Sequence, residues 1–185
     1  MLQIKEKLLK ILKEKSYVKG AVTLSSGAKS DFYIDCKKTF LTPRGAILGA
    51  ELILDMLKLH NVKCDAIAGV ALGGCPLATA TSMLTGTGIF THELPAIYVR
   101  TTPKRHGMLS LIEGQNDEIK NVILLEDVIT TGKSTEKAIN NLNEHGINVC
   151  AVFVVVNRSS INTIDNIPVY SMYTPNDFVD KDDNL

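Results

Sequence analysis

The sequence predicts an α/β fold in which a mainly parallel central sheet is flanked by helices. Short apolar runs rich in β-branched residues alternate with segments of helical period, which is the pattern of consecutive βαβ units. Two of these runs, at 122–125 and 149–156, are apolar without interruption, as expected for parallel strands that are covered on both faces. Glycine and proline residues punctuate the chain between the segments, so the connections are expected to be short.

The first elements are predicted to lie outside the main sheet. Leucine and isoleucine recur at helical spacing in residues 2–12, which predicts an amphipathic helix. Residues 22–24 and 32–35 predict two short strands that a Ser-Gly turn connects. We expect residues 1 to about 40, together with the tail from Ile167, to form a small hood over one edge of the sheet.

The remaining segments predict alternating helices and strands. A helix begins at Thr42-Pro43, because proline is favoured at the first helical position. The stretch 101–116 is polar and glycine-punctuated without a clear period. The other predicted elements are the continuation of the Pro43 helix to about His60, a strand at 65–70, a helix from Pro76 to the glycines at 86 and 88, a strand at 96–100, the strand at 122–125, a helix to about His145 and the strand at 149–156.

Length and composition indicate one ordinary domain, spanning residues 1–185, with room for a substantial core. Acidic and basic residues balance at 20 each, so no basic field is available to attract nucleic acid. No apolar run is long enough to span a bilayer, and we expect no membrane partner. The four cysteines form no C-x-x-C pair, which favours free thiols in a reducing cytoplasm.

The most informative segment is the apolar run at 122–125 with the residues that follow it. Glu126 and Asp127 come directly after the run, where open α/β sheets bind ligands. A Thr-Thr-Gly-Lys-Ser segment at 130–134 then opens the next helix, so its free backbone N–H groups can hold a phosphate. Carboxylates for ribose hydroxyls beside a phosphate cradle suit a sugar phosphate.

Two other interpretations of this segment are weaker. Gly132-Lys133-Ser134 resembles the end of a P-loop, but that motif requires a glycine five residues earlier, where this chain has Asp127. An ordinary strand–turn–helix connection explains the loop but not the acids, because adjacent carboxylates at the end of a buried strand are costly for a purely structural role. We therefore favour a functional site.

Residues 122–132, Val-Ile-Leu-Leu-Glu-Asp-Val-Ile-Thr-Thr-Gly, resemble the phosphoribosyl pyrophosphate (PRPP) signature of type I phosphoribosyltransferases. Residues 23–35 resemble the amino-terminal orotate segment of the orotate phosphoribosyltransferases, and residues 100–107, Arg-Thr-Thr-Pro-Lys-Arg-His-Gly, are similar to the mobile catalytic loop of that family. The signature alone gives only the superfamily, whereas the combination is specific to the orotate enzymes. The resemblance implies the type I phosphoribosyltransferase fold.

The resemblance further implies the transfer of ribose 5-phosphate from PRPP to N1 of orotate, in the de novo synthesis of UMP. The products are orotidine 5′-monophosphate and pyrophosphate. Mg²⁺ is implied as the cofactor, carried by PRPP rather than by protein side chains. A homodimer is implied, in which the mobile loop of one subunit acts at the site of the other. Lys104 and His106 match catalytic residues of that loop, and Asp127 matches a catalytic carboxylate.

The implied PRPP site combines several segments. Glu126 and Asp127 would accept hydrogen bonds from the ribose hydroxyls, and Arg100 would bind phosphate oxygens. The loop at 69–76 would bind pyrophosphate through its main chain, although taken alone its glycine pair is more typical of a tight turn. The residues expected to bind PRPP are Leu72, Gly73, Arg100, Thr101, Lys104, His106, Glu126, Asp127, Val128, Ile129, Thr130, Thr131, Gly132, Lys133 and Ser134.

The orotate site is expected at Phe32, Tyr33, Thr130 and Arg158. Phe32 and Tyr33 offer a ring face and a backbone edge to a flat anion, and Arg158 would pair with its carboxylate or a ring carbonyl. Without the resemblance, strand packing would be the favoured interpretation of the two aromatic residues.

The chain departs from the family pattern at three positions where lysine is common, which here hold Ser25, Gly73 and Thr101. Each missing cation is worth ~1–3 kcal/mol as a charged hydrogen bond. Three hypotheses therefore stay open: an orotate phosphoribosyltransferase, a type I phosphoribosyltransferase for another base such as a purine, and a non-catalytic PRPP-binding regulator. The loop residues 104 and 106, Arg158 and the segment up to Tyr33 favour the first.

Overall fold

The computed structural model describes residues 1–23, 29–102, 110–114 and 116–179. The α-helices in these ranges are α1 (Leu2–Lys15), α2 (Lys37–Phe40), α3 (Pro43–Leu59), α4 (Cys75–Leu84) and α5 (Lys133–Glu144). The strands are β1 (Tyr17–Thr23), β2 (Lys29–Ile34), β3 (Ala66–Val70), β4 (Ala96–Val99), β5 (Ile112–Glu113), β6 (Asn121–Ile129), β7 (Asn148–Asn157), β8 (Thr163–Ile164) and β9 (Ile167–Tyr173). A π-helical turn at Thr85–Ile89 follows α4, and a 3₁₀ turn spans Pro175–Asp177.

A seven-stranded sheet in the order β5-β4-β3-β6-β7-β9-β8 forms the centre of the molecule. Its five inner strands are parallel, whereas β5 and β8 at the two edges are antiparallel to their neighbours. The predicted α/β fold with a mainly parallel sheet is therefore confirmed. The chain proceeds from β3 to its neighbour β4 on one side, and from β6 to its neighbour β7 on the other. The strand order thus reverses between β3 and β6, where open α/β sheets form a ligand-binding crevice.

Helices cover both faces of the sheet, and the side chains of β6 alternate between them. Ile123 and Leu125 pack into a core cluster shared with α1, α3 and α4. Val122 and Leu124 pack into a second cluster shared with α5. This two-sided burial explains why the strand is apolar without interruption.

The helix that begins at Pro43 shows how local sequence sets an element. Thr42 is the N-cap, and its Oγ1 accepts a hydrogen bond from the Gly45 N–H at 3.3 Å. Proline at the first position has no N–H that requires a partner. The helix ends at Leu59, one residue before the predicted end at about His60.

The amino-terminal hairpin lies outside the main sheet, as predicted. β1 and β2 form a separate antiparallel pair, and the expected Ser-Gly turn between them falls outside the described residues. The Tyr17 and Phe32 rings of the hairpin pack together with Phe178, with centroids 5.2–5.5 Å apart.

The expectation that the tail from Ile167 belongs to the hood is wrong for its first seven residues. They form β9, which pairs in parallel with β7 inside the main sheet. Tyr173 at the end of β9 is 1% exposed, and its hydroxyl donates to the Lys5 carbonyl at 2.7 Å. Phe178, which follows β9, reaches the hairpin and packs against the rings of Tyr17 and Phe32.

Candidate active site

The residues expected to bind substrate come together at one edge of the sheet. β3, β4, β6 and β7 are parallel, so their carboxyl ends share that edge. The loop at 71–74 follows β3, Arg100 follows β4, the loop at 130–132 follows β6 and Arg158 follows β7. The first and third of these loops flank the crevice between β3 and β6.

Asp127 faces the loop after β3 at very short range. A Cβ atom on Gly73 would lie 2.2 Å from the Asp127 Cγ and 2.3 and 2.4 Å from its two carboxylate oxygens. While the carboxyl group keeps this position, the backbone of the loop passes it too closely for a Cβ at residue 73. The Asp127 Oδ1 also accepts a hydrogen bond from the Val128 N–H at 2.9 Å, which fixes the side chain.

The acidic pair lies within the strand rather than beyond its end. β6 continues to Ile129, because Val128 and Ile129 still pair with β7, opposite Val156 and Asn157. The expectation that the strand ends at residue 125 is therefore wrong. The extra residues carry Asp127 along the edge of the crevice and place the loop at 130–132 beyond it.

Glu126 has a different environment from its neighbour. Its side chain lies toward α5, where its Oε2 accepts a hydrogen bond from the Thr135 hydroxyl at 3.4 Å, and only 5% of the residue is exposed. Burial raises the pKa of Glu126 well above its ordinary value, and the charge of Asp127 raises it further. This environment favours the protonated carboxyl. Of the two acids expected to bind a sugar, Asp127 is partly exposed and Glu126 is buried, and their contact with a sugar stays a prediction.

The segment after β6 has the features of a phosphate cradle. Gly132 is the N-cap of α5 with φ of 76°, a conformation that favours glycine, and it has no side chain with which to cap the helix. The first N–H groups of α5 have no acceptor within the helix, and the positive end of its dipole faces the same way. The polar side chains around this turn are exposed, namely Thr130, Thr131, Lys133 and Ser134.

Arg100 lies at the end of β4 next to the loop after β3. Its Nε is 3.5 Å from the Glu113 Oε1 on β5, and its carbonyl accepts a hydrogen bond from the Asn141 side chain at 2.7 Å. A cavity of about 500 Å³ joins it to that loop, lined by Ala71, Leu72, Cys75, Tyr98 and Arg100. Thr101 follows in the chain and is partly buried. The expected lid residues Lys104 and His106 lie outside the described residues.

Three of the four expected orotate residues are near one another. The Arg158 guanidinium carbon lies 5.3 Å from the Phe32 ring centroid, a cation–π arrangement. The Arg158 N–H donates to the Ile129 carbonyl at 2.8 Å, so Thr130 and Arg158 leave their strands side by side. Tyr33 alternates with Phe32 along β2 and therefore points to the other face of the hairpin.

The structure brings two further polar residues to this region, Lys37 and Asn157, that no sequence pattern indicated. Lys37 begins α2, and its ammonium lies 2.7 Å from the Asp35 Oδ1. Asn157 is 4% exposed and secures the turn that carries Arg158, because its Nδ2 donates to the Ile161 carbonyl at 2.8 Å and its Oδ1 accepts from the Ser159 N–H at 3.2 Å. Both depend on contacts between segments distant in sequence or on loop geometry, which a linear pattern does not encode.

Two features are absent from the part of the chain that the structure describes, a cluster of metal ligands and a membrane-spanning helix. No group of three or more His, Cys, Asp or Glu side chains in these ranges is arranged to hold a metal ion. No helix in the same ranges combines the length and apolar character needed to cross a membrane.

Known proteins resemble this chain along almost its whole length. The orotate phosphoribosyltransferase of Sorangium cellulosum (strain So ce56) is 41% identical over 184 residues, which cover 95% of this chain and 93% of that protein. A crystal structure of the Mycobacterium tuberculosis H37Rv orotate phosphoribosyltransferase superposes with a TM-score of 0.78 at 29% identity, covering 95% of this chain and 98% of the other. A structure of the same enzyme in complex with PRPP has a TM-score of 0.75 at 25% identity, with the same coverage.

No protein-family model matches the chain. The sequence identity to the Sorangium protein is nevertheless higher than a shared fold alone requires, because 41% of the residues are identical over nearly the full length of both proteins. The resemblance of residues 23–35 and 100–107 to segments of the orotate phosphoribosyltransferases agrees with this identity. The chain belongs to the orotate phosphoribosyltransferase family.

Proposed function

We propose that this chain transfers ribose 5-phosphate from PRPP to N1 of orotate, giving orotidine 5′-monophosphate and pyrophosphate. The observation that carries the proposal is the contact between Asp127 and Gly73 across the crevice at which the strand order reverses. It brings a carboxylate, a main-chain loop and a helix N-terminus to one place. PRPP has groups that match these three features: ribose hydroxyls for the carboxylate, a diphosphate for the main-chain loop, and a 5′-phosphate for the helix N-terminus.

The 5′-phosphate would bind at the start of α5. The free N–H groups of the first turn and the exposed hydroxyls of Thr130, Thr131 and Ser134 are hydrogen-bond donors for phosphate oxygens. Lys133 adds an exposed positive charge at the same turn. From this anchor the ribose would extend toward Asp127, whose carboxylate accepts hydrogen bonds from the ribose hydroxyls.

The diphosphate would lie between the loop at 71–74 and Arg100. Mg²⁺ usually binds through one or two carboxylates together with substrate phosphates, and Asp127 fits one such ligand because its carboxylate faces this loop. When bound with PRPP, the ion would neutralise part of the negative charge of the departing pyrophosphate. The chain itself contributes the main-chain loop and the Arg100 guanidinium.

Orotate would bind between the hairpin and the end of β7. Arg158 would pair with an anionic or carbonyl oxygen of orotate, and the ring of Phe32 limits how the guanidinium can turn. Thr130 would contact the base from the phosphate loop beside it. In this proposed arrangement, N1 of orotate would approach the ribose from the side opposite the departing diphosphate.

The reaction follows from these positions. The bond from the ribose anomeric carbon to the diphosphate breaks, and its electron pair leaves with pyrophosphate. Positive charge develops on the ribose, where the Asp127 carboxylate stabilises it. Orotate N1 donates an electron pair to the anomeric carbon and forms the new carbon–nitrogen bond, and the proton of N1 passes to water. Lys104 and His106 of the lid would meet the negative charge that collects on pyrophosphate.

We also propose that two copies of the chain form a dimer in which each lid acts at the partner's site. Such a dimer requires an interface beside the site. A largely apolar groove of about 460 Å³ lies there between α2 and α4, and we call it the α2–α4 groove. Three large apolar side chains on its walls, Leu41, Leu72 and Met83, are at least 70% exposed, which is the chemistry of a surface that a second copy covers.

Mixing two inactive variants tests the shared lid. A Lys104→Ala chain has an intact phosphate site and an Asp127→Ala chain has an intact lid, so mixed dimers would contain one complete site and regain activity. Subunit exchange is followed separately with fluorescently labelled chains. Exchange without recovery of activity would mean that each chain uses its own lid.

Turnover of orotate tests the function itself. Purified protein with orotate, PRPP and Mg²⁺ is expected to consume orotate, followed by its loss of absorbance, and to release pyrophosphate. Adenine and hypoxanthine are assayed in parallel under the same conditions. Turnover of a purine without turnover of orotate would contradict the proposal.

We propose the cytoplasm as the place of this activity, since all four cysteines are free thiols.

A further inference from the structure

In this structure the loop after β3 leaves no room for a side chain at Gly73 beside the Asp127 carboxyl group. Any Cβ on Gly73 would overlap the Asp127 carboxyl group, and a Cβ on Gly74 would lie 2.1 Å from the Leu125 carbonyl oxygen. The loop is therefore confined to main-chain contacts with an anion. A highly charged diphosphate bound there needs a cation from another element.

Lys37 is the first residue of α2 and lies beside Asp127. Cys36, the N-cap of this helix, is fully buried, and its Sγ lies 3.9 Å from the Asp127 carbonyl oxygen. The Lys37 ammonium is held by Asp35 at 2.7 Å, and 38% of its side chain is exposed. The ion pair with Asp35 thus fixes the direction of the Lys37 ammonium, which is still partly exposed to solvent.

Two adjoining cavities next to the loop are each lined by a cation. Lys37 lines the α2–α4 groove, and Arg100 lines the other cavity. The two cavities share Leu72, Cys75 and Tyr98 as walls. Leu72 belongs to the loop at 71–74, so both cavities that reach this loop contain a cationic side chain.

The charge of Lys37 is secure at neutral pH. The hydrogen bond to Asp35 raises the pKa of Lys37, partial burial opposes this change, and the negative charge of Asp127 raises the pKa further. The influence of Asp127 agrees with the packing of Cys36 against that residue.

We propose that Lys37 is a substrate-binding cation of this site, which contacts the diphosphate of PRPP and supplies a positive charge that the loop at Gly73 does not carry. The proposal rests on the proposed function, because it takes the ligand of the crevice to be PRPP. Asp35 is then a positioning residue that directs the ammonium toward the loop.

A matched pair of variants tests this role. Lys37→Met removes the charge and keeps much of the stem, whereas Lys38→Met makes the same change at the next residue of α2, which is exposed. The probe is inorganic pyrophosphate with Mg²⁺, titrated by calorimetry into each protein. Lys37→Met is expected to weaken binding by about tenfold or more, as for loss of a charged hydrogen bond, and to raise the KM for PRPP similarly. Lys38→Met should leave both unchanged.

Two further variants separate binding from structure. Lys37→Arg should restore part of the pyrophosphate affinity, and Asp35→Asn, which breaks the ion pair but keeps the ammonium, should lose less than Lys37→Met. Equal pyrophosphate affinity in Lys37→Met and Lys38→Met would overturn the proposal, and so would an equal loss in Asp35→Asn and Lys37→Met. Wild-type turnover of orotate is measured alongside. If the wild type turns over orotate but Lys37→Met binds pyrophosphate as the wild type does, only the role of Lys37 is refuted. If Lys37→Met binds pyrophosphate more weakly but the wild type does not turn over orotate, only the orotate activity is refuted.

Discussion

Replacing Gly73 with alanine adds a single methyl group at the point where the loop after β3 meets Asp127. In the structure that methyl carbon would lie 2.2 Å from the Asp127 Cγ, whereas ordinary van der Waals contacts begin at 3.4 Å. The loop and the carboxylate must therefore separate by about 1 Å. A shift of the Asp127 side chain would have to break the hydrogen bond that its Oδ1 accepts from the Val128 N–H at 2.9 Å.

A displacement of this size is large for a catalytic site. Misplacing a reacting or binding group by about 1 Å costs on the order of 100-fold in rate. We therefore expect Gly73→Ala to lower kcat/KM for PRPP by about 100-fold, which corresponds to ~2.7 kcal/mol of transition-state stabilisation. The separation displaces the main chain at 71–74, the carboxylate, or both, so both kcat and the KM for PRPP should change.

Initial rates of orotate consumption at varied PRPP concentration measure this effect. Gly86→Ala is the matched control, because a Cβ on Gly86 meets no atom within 4 Å. Thermal unfolding of both variants shows whether the fold is retained. A Gly73→Ala variant that folds and keeps the kcat/KM of Gly86→Ala would refute the contact on which the site depends.

Two further predictions concern the residues around this contact. Glu126→Gln should flatten the pH dependence of the free energy of unfolding. Above the ordinary pKa of 4.5, the folded wild type keeps the Glu126 proton, whereas the unfolded chain releases it. The free energy of unfolding of the wild type therefore falls as pH rises, by at most about 1.4 kcal/mol per pH unit. Urea denaturation at several pH values measures it, and identical profiles would show that Glu126 is ionised when folded. Arg158→Met should raise the KM for orotate by about tenfold or more and leave that for PRPP unchanged, measured by initial rates. An equal rise for both substrates would place Arg158 elsewhere than the orotate pocket.

The fold and the location of the site followed from local patterns. The unbroken apolar run at 122–125 has a direct physical cause, since helices cover the strand on both faces. Thr42-Pro43 begins a helix through an interaction within four residues. The position of the site follows because parallel strands end at one edge of a sheet.

The errors arose where pairing between distant segments decides the outcome. β6 continues past its acids because Val128 and Ile129 find partners on β7, which no local pattern indicates. The strand at Ile167–Tyr173 contains Pro168, which argues against an inner strand, but the proline lies at the second position, next to the short edge strand β8.

The finer contacts of the site were not accessible from the sequence. The exclusion of a Cβ at Gly73 depends on the position of Asp127, more than 50 residues later in the chain. The place of Lys37 depends on how α2 packs against β6 through Cys36. A sequence shows which residue types are present, whereas these roles arise from the distances between them.

Backbone NMR during titration with PRPP and Mg²⁺ tests the central claim most directly. If PRPP binds in the crevice between β3 and β6, the amide signals of residues 71–74 and 131–135 should shift together and saturate with one affinity, and Asp127→Asn should weaken that affinity. Shifts confined to another surface, with the amides of both loops unchanged at saturation, would contradict the account.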